Sequence, residues 1–384
     1  MTTGSPLRVC TYNIRFILDR YDERRELVES VIESANADIY GFQEVLVGGQ
    51  LVGQQKDIVK RLNNDYTKSY EHFDTEGFRL YTAMLPLGLT HIFHNPIADL
   101  IYDLWALFNT YFLCAITGPY TQYLYHHDLL KIIVYFVLGT CWVFGTSQVV
   151  NTSTSAQLLL GTNPSDAVQV KNASVKHYIL RVGGFRGVGV VDLRRVIQTT
   201  KGDTDSTGIT IRRILHINVH LSSAPHEEDI RTDEAQQIMN WLKELEASDV
   251  AAGNSPVDGV IISGDFNAQP DGKCYTFFMD HGFHSAYRES YGAEPAITFH
   301  QQHSAPTKDV SDECCLDYIM YRGDCLQLQV TKRMTQGTNN DGNLNDNGSG
   351  ERPVVELIGT ESSTSDPTLY PSDHYGIVAN FNII

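Results

Sequence analysis

A sheet-rich layered domain, of the α/β or α+β class, is what the sequence predicts, and three observations predict it. Short apolar runs of strand length recur at 7–15, 38–42, 188–197, 209–221, 260–263, 316–321, 326–330 and 375–379. Amphipathic segments at 22–35 and 54–62 alternate with the first of these runs, giving strand, helix, strand, helix. Acidic, amide and imidazole side chains stand at the ends of the runs, where rigid strands meet loops and where active sites usually form.

Residues 7–15 alternate as a strand, and 22–35 carries Leu27, Val31 and Ile32 at helical spacing behind Asp22 and Glu23, acids that a helix N-terminus favours. The second strand, 38–42, has Glu44 just past its C-terminal end, and 54–62 reads as the next helix. From 85 to 140 apolar and aromatic residues crowd together and charges almost vanish, which marks an apolar helical insertion. Its part from 95 to 118 repeats apolar residues at i, i+3 and i+4 until Gly118-Pro119 breaks it. The run from 129 to 150 approaches the roughly 20 residues that cross a bilayer. Lys131 near its start and the strand-like 142–147 instead predict a helix ending near 138 and then a core strand. The insertion either packs on the domain or docks on a membrane surface through 95–140.

The runs at 188–197 and 209–221 flank the polar stretch 201–205, a hairpin pattern whose return strand delivers His220. Residues 227–247 form a long amphipathic helix with Ile230, Ile238, Trp241, Leu242 and Leu245 available for one face, leading to the strand before Asp265. Asn, Asp and Gly accumulate at 335–353, predicting a mobile polar surface loop. No repeat is visible, and 1–384 reads as a single domain.

Composition narrows the function. The chain has 384 residues, is 42% hydrophobic and has a net charge of -17, so a broad basic nucleic-acid face is disfavoured while a local basic cleft is not. Seven scattered cysteines show neither a disulfide framework nor zinc spacing. The N-terminus has no basic region followed by an apolar stretch, so the expected setting is intracellular, cytoplasmic or peripheral to a membrane. Nothing in the sequence requires an oligomer.

The chemical residues are Asn13, Glu44, His220, Asp265, Asn267, Asp317, Asp373 and His374, drawn from six predicted strands. Each alone has an ordinary reading: a turn cap, a solvated acid, a core histidine, a Ser-Asp turn. Asp317 is the exception, because an acid inside the apolar run 315–319 must find a partner or lose its charge, and an imidazole is a natural one. Together the acids, amides and imidazoles suit metal-assisted attack on phosphate.

In order along the chain, Thr11-Tyr12-Asn13-Ile14, Gly41-Phe42-Gln43-Glu44-Val45, Val219-His220-Leu221, Gly264-Asp265-Phe266-Asn267, Leu316-Asp317-Tyr318-Ile319 and Ser372-Asp373-His374 resemble the motifs of the endonuclease/exonuclease/phosphatase superfamily. The resemblance covers nearly the whole chain apart from the apolar insertion and the polar loop. It implies an α+β four-layer α/β/β/α sandwich, two packed mixed sheets flanked by helices, with the site at one rim. It also implies an Mg²⁺-dependent phosphoesterase, with Mn²⁺ as a substitute, in which Glu44, Asn13 and Asp373 hold the metal and its waters. By the same resemblance Asp265 would orient or deprotonate the water, Asn267 would position that water or a phosphate oxygen, His374 kept positive by Asp317 would stabilise the developing charge, and His220 would contact the phosphate. Arg186, within Gly184-Phe185-Arg186-Gly187, resembles a substrate-phosphate residue of neutral sphingomyelinases, although a strand bulge explains it equally well. The apolar insertion favours a lipid phosphodiester as substrate; a nuclease or deadenylase acting on nucleic acid is the alternative, and a non-catalytic membrane or partner scaffold is the alternative of another class.

Overall fold

A computed structural model describes residues 5–15, 20–47, 54–65, 68–78, 143–152, 176–182, 186–200, 207–223, 226–300, 312–329 and 354–384. The apolar insertion at 85–140 and the polar loop at 335–353 lie outside the described residues, as does the membrane-docking expectation for 95–140.

One sheet runs in the order β11 (Leu326–Leu328), β13 (Gly376–Ile383), β1 (Ser5–Asn13), β2 (Ile39–Val47), β4 (Val143–Asn151) and β3 (Tyr70–Phe78), with β12 (Val355–Ile358) also paired to β13. The other runs β5 (Lys176–Val182), β6 (Arg186–Thr200), β7 (Thr207–His220), β8 (Gly259–Asp265), β10 (Asp317–Arg322) and β9 (His284–Ser285). Both sheets are mixed, since β1 with β2 and β7 with β8 pair in parallel among antiparallel neighbours. Strands β3 and β4 are antiparallel neighbours, so residues 79–142 join two adjacent strands.

Period-two alternation divides the buried side chains into three cores. Cys10, Tyr12, Tyr40 and Phe42 meet α1 (Tyr21–Ala35) and α2 (Gln54–Leu62) through Val28, Ile32, Ile58 and Leu62. Leu215, Ile217, Val260 and Ile262 meet α3 (Glu228–Ala252) and α4 (Lys273–Asp280) through Ile238, Leu242, Cys274 and Phe278. Between the sheets lie Leu7, Val9, Ile39, Ile214, Ile261, Ile319 and Phe381. Three cores separate four layers, and the chain is an α+β sandwich of two mixed sheets flanked by helices. Each fully buried side chain of this kind contributes about 1.5–3 kcal/mol relative to exposure.

Two expectations need correction. Helix α3 extends to Ala252 rather than ending at 247, because the residues up to Ala252 tolerate helix and the stop comes at Gly253, left-handed at φ 69°. Ile230, expected on its apolar face, is 44% exposed. Arg231 turns inward instead, donating to the Ser222 carbonyl at 2.9 Å and pairing with Glu228 at 2.8 Å.

The interior between the sheets changes character toward one rim. Along β7 the inward positions are Ile214, His216, Asn218 and His220; along β8 they are Ile261, Ser263 and Asp265; along β1 they are Val9, Thr11 and Asn13. The middle polar layer is bonded across the sheets. Gln148 donates to the His216 carbonyl at 2.9 Å and meets Nδ1 at 2.7 Å, while Nε2 meets the Ser263 hydroxyl at 2.8 Å. The carbonyl fixes the amide with its NH₂ toward the ring, so Nδ1 accepts, Nε2–H donates and the ring is neutral. Burial accordingly holds the His216 pKa down at about 3, against an ordinary 6.5. The unfolded chain therefore binds a proton that the folded chain does not, and this contribution to stability is full above pH 6.5 and falls as the pH drops toward 3. His216→Gln is expected to flatten that acid limb, measured as chemical denaturation midpoints between pH 7 and 4 relative to the unsubstituted protein.

Candidate active site

The strand ends of the two sheets place acids and imidazoles face to face. In the second sheet the register sets His220 and Asp317 on either side of Asp265. Gly264 precedes it at φ 145°, and a Cβ there would meet the Val219 carbonyl at 2.0 Å, so only glycine admits the turn of chain that aims Asp265 across the sandwich. In the first sheet Asn13 closes β1, and Asp373 and His374 enter β13. Ser372 ties these two loops together, donating to the Asn13 carbonyl at 2.7 Å.

Glu44 does not follow its strand as expected. Strand β2 continues to Val47, and the pairing with β4 shifts register between Phe42 and Val45, so Glu44 stands in a bulge with φ 52°. Asn218 of the opposite sheet braces this bulge, donating to the Phe42 and Ser147 carbonyls at 3.1 and 3.2 Å and accepting from Gln43 at 2.6 Å. A Cβ at Gly41 would lie 2.8 Å from the Asn218 oxygen, which explains the glycine beneath the bulge.

Asp265 is the centre. Its Oδ2 accepts from Asn13 at 3.0 Å, and Nε2 of His220 and Nε2 of His374 each lie 3.8 Å away. The same Asn13 nitrogen is 3.3 Å from Glu44, while its oxygen accepts from the Arg15 backbone at 3.0 Å. In this geometry Asn13 is a donor that holds two carboxylates together, and oxygen ligation would require its amide to turn. Oδ1 of Asp265 accepts the Asn267 backbone N–H at 2.9 Å, and the Asn267 side chain donates to the Leu221 carbonyl at 3.0 Å. Nδ1 of His374 and Oδ2 of Asp317 are 2.8 Å apart, so the partner expected for Asp317 is the imidazole.

The electrostatics follow from burial and these pairs. Burial, then the charge of Asp317, pushes Asp265 up to about 7, against the pull of His374. Burial opposes a charge on His374, yet Asp317 outweighs it and raises the ring to about 10, so His374 is an imidazolium at neutral pH. Burial and the neighbouring Asp373 raise Glu44 above the ordinary carboxylate range. Arg15 forms an ion pair with Asp373.

Ligand atoms of Asp265, Asp317 and His374 lie within 4.8 Å of one another, a spacing that could hold a metal. A protonated imidazole has no lone pair to give, so that trio is a poor metal centre. Glu44 beside Asp373 suits a hard cation better: two crowded carboxylates supply oxygen donors, and a cation would relieve the repulsion that raises Glu44. Arg186 opens β6 in register opposite Val182, and its side chain lies outside the described ones.

Two residues escaped sequence reasoning. Arg15 lies in the run read as strand to residue 15, but β1 ends at Asn13 and the chain turns at Arg15 with φ 55°, so strand alternation carried no signal for it. Arg24, buried in α1, donates to the Ile14, Arg15 and Pro371 carbonyls at 2.9, 2.7 and 2.8 Å, holding both loops of the first sheet. Its signal was its spacing, since Leu27, Val28, Val31 and Ile32 at i+3, i+4, i+7 and i+8 put Arg24 on the apolar stripe of α1.

No protein-family model matches the chain, and no curated protein matches it. Among solved structures, it is similar to truncated Caenorhabditis elegans TDP2 at 13% identity, covering 98% of this chain and 97% of that one with a TM-score of 0.47. It is similar to the human Nocturnin catalytic domain with bound sulfate at 15% identity, covering 100% and 97% with a TM-score of 0.44. It is also similar to the endonuclease/exonuclease/phosphatase from Bacteroides vulgatus at 13% identity, covering 99% and 100% with a TM-score of 0.48. Likeness at this level says nothing of activity, and the chemistry of the site is read from its own side chains.

Asp317→Asn keeps the shape of the pair and removes its charge, leaving burial opposed only by the charges of Asp265 and Asp373. The ring is then expected to titrate well below about 10, followed by NMR of the imidazole carbon-bound protons against pH.

Proposed function

We propose that this chain is a phosphoesterase of the endonuclease/exonuclease/phosphatase superfamily, hydrolysing a phosphodiester by attack of water with the help of a divalent cation. The observation that carries the reading is the convergence on one carboxylate oxygen. Asp265 Oδ2 has Asn13 at 3.0 Å and two imidazole Nε2 atoms at 3.8 Å, one of them on a ring paired with a second buried acid.

Asp265, raised toward neutrality, is suited to take the proton of the attacking water, because a general base works best with a pKa near the working pH. Asn13 holds it in place. His374, charged and oriented by Asp317, donates from Nε2 to the oxygen on which negative charge develops, and His220 offers a second donor. Asn267 fixes Oδ1 of Asp265 through its backbone, leaving Oδ2 to face the reacting groups. Glu44 and Asp373 would hold the cation, Mg²⁺ or Mn²⁺, which when bound polarises a phosphoryl oxygen and makes water more acidic. Arg15 adds a positive charge beside Asp373.

The case for a lipid phosphodiester rests on residues outside the described ones, so the proposal is for the reaction, and substrate class is an arm of the test. Purified protein is assayed with Mg²⁺ against sphingomyelin, an oligonucleotide and bis-p-nitrophenyl phosphate. Hydrolysis of at least one is expected, with Asp265→Asn and His374→Ala each lowering kcat on the order of a hundredfold or more. Near-normal turnover by either variant contradicts the assignment. No turnover by metal-loaded protein on any of the three favours the scaffold reading.

A further inference from the structure

Asp317 opens β10 of one sheet and His374 stands two residues before β13 of the other, and the two sheets do not pair with each other. What spans the gap is a segment that belongs to neither, residues 298–300. Phe299 bridges Cys314 on one side and His374 on the other as an antiparallel partner of both. The backbone bonds run in both directions. Thr298 and Phe299 N–H donate to the Cys314 carbonyl at 2.9 Å each, and Cys314 N–H returns to Phe299 at 3.2 Å. On the other side His300 N–H donates to the Asp373 carbonyl at 2.8 Å, and Tyr375 N–H donates to the Thr298 carbonyl at 2.7 Å. The Phe299 ring lies 5.2 Å from the His374 ring.

The side chain of Thr298 completes the strap. It is fully buried, and its hydroxyl oxygen accepts from Leu316 N–H at 2.9 Å and Asp317 N–H at 3.1 Å. Without that oxygen the part-buried Leu316 N–H and the buried Asp317 N–H lose this acceptor. Asp317 has little else to orient it: Oδ1 is buried without a hydrogen-bond partner, and Oδ2 meets only the imidazole among the contacts described. The β8–β10 ladder holds one side of this backbone, and the Thr298 hydroxyl, bonded to the Leu316 and Asp317 N–H groups, holds the other and with it the direction of that carboxylate.

The structure assigns Thr298 as a positioning residue that, through the strap 298–300, sets the reach of Asp317 to His374 across the two sheets. Its catalytic consequence rests on the function proposed above; its effect on the pair does not. A buried imidazole Nδ1–H held by a carboxylate gives a proton resonance well downfield of the amides, and this signal, identified by its loss in Asp317→Asn, reports the pair without any assay.

Thr298→Val keeps the branched shape and removes the acceptor, whereas Thr298→Ser keeps the acceptor and removes the methyl group. The valine variant is expected to lose or move the downfield signal and to lower kcat on the order of a hundredfold, with KM little changed, as small misplacements at an active site do. The serine variant is expected to restore both. A folded valine variant that retains the signal, or a serine variant as impaired as valine, overturns the assignment. Loss of the signal with normal kcat upholds the positioning role and overturns the catalytic reading instead. Should the valine variant not fold, amide exchange in the unsubstituted protein decides: slow exchange at Leu316 and Asp317 supports the bonds to Thr298, and fast exchange at both overturns them.

Discussion

The hydrogen-bonded ion pair between His374 Nδ1 and Asp317 Oδ2, 2.8 Å long and almost wholly removed from water, is the constraint on which the rest of the rim depends. It fixes the tautomer and orientation of the imidazole, keeps the ring charged, and in doing so aims Nε2 at Asp265. The pair is a poor device for stability, since taking two charges from water costs several kcal/mol per ion before their attraction repays it. A pair of apolar residues would fill the same space at less cost. Its presence at the meeting of two sheets, beside a second buried acid and a second imidazole, is therefore better explained by chemistry than by folding.

The rim is the top of a gradient built by strand alternation. Inward positions on β7 pass from Ile214 through His216 and Asn218 to His220, and those on β8 pass from Ile261 through Ser263 to Asp265. The lower part supplies ordinary apolar core. The middle part is polar, with Asn218, Gln43, Gln148 and His216 bonded from sheet to sheet and Oε1 of Gln148 buried without a partner. That layer holds the strands in register and braces the bulge that carries Glu44. The charged residues above it thus stand on a rigid polar floor, which is what a preorganised site requires.

Much of this was legible in the sequence because the strands carry it in period two. Asn13, His220, Asp265 and Asp317 lie at or next to the ends of apolar runs, and an acid within 315–319 demanded a partner, which the imidazole of His374 supplies. What escaped were features set by backbone conformation or long-range contact. The bulge at Glu44 depends on Asn218, which reaches Phe42 and Gln43 from the other sheet. The role of Arg24 depends on three carbonyls brought together from two distant loops. Asn13 reads as a metal ligand by resemblance, but its amide faces two carboxylates, an orientation fixed by the local bond from the Arg15 N–H, which is the ordinary turn-cap reading of Asn13.

If Asp317 and His374 act as one unit, their contributions to turnover cannot be independent. A double-mutant cycle on kcat/KM with Asp317→Asn, His374→Ala and the double variant measures this directly. The double variant should be no slower than His374→Ala alone, because an acid whose task is to orient and charge one imidazole has nothing left to do when that imidazole is gone. Losses that multiply, so that the double variant falls by the product of the two single effects, would contradict the account.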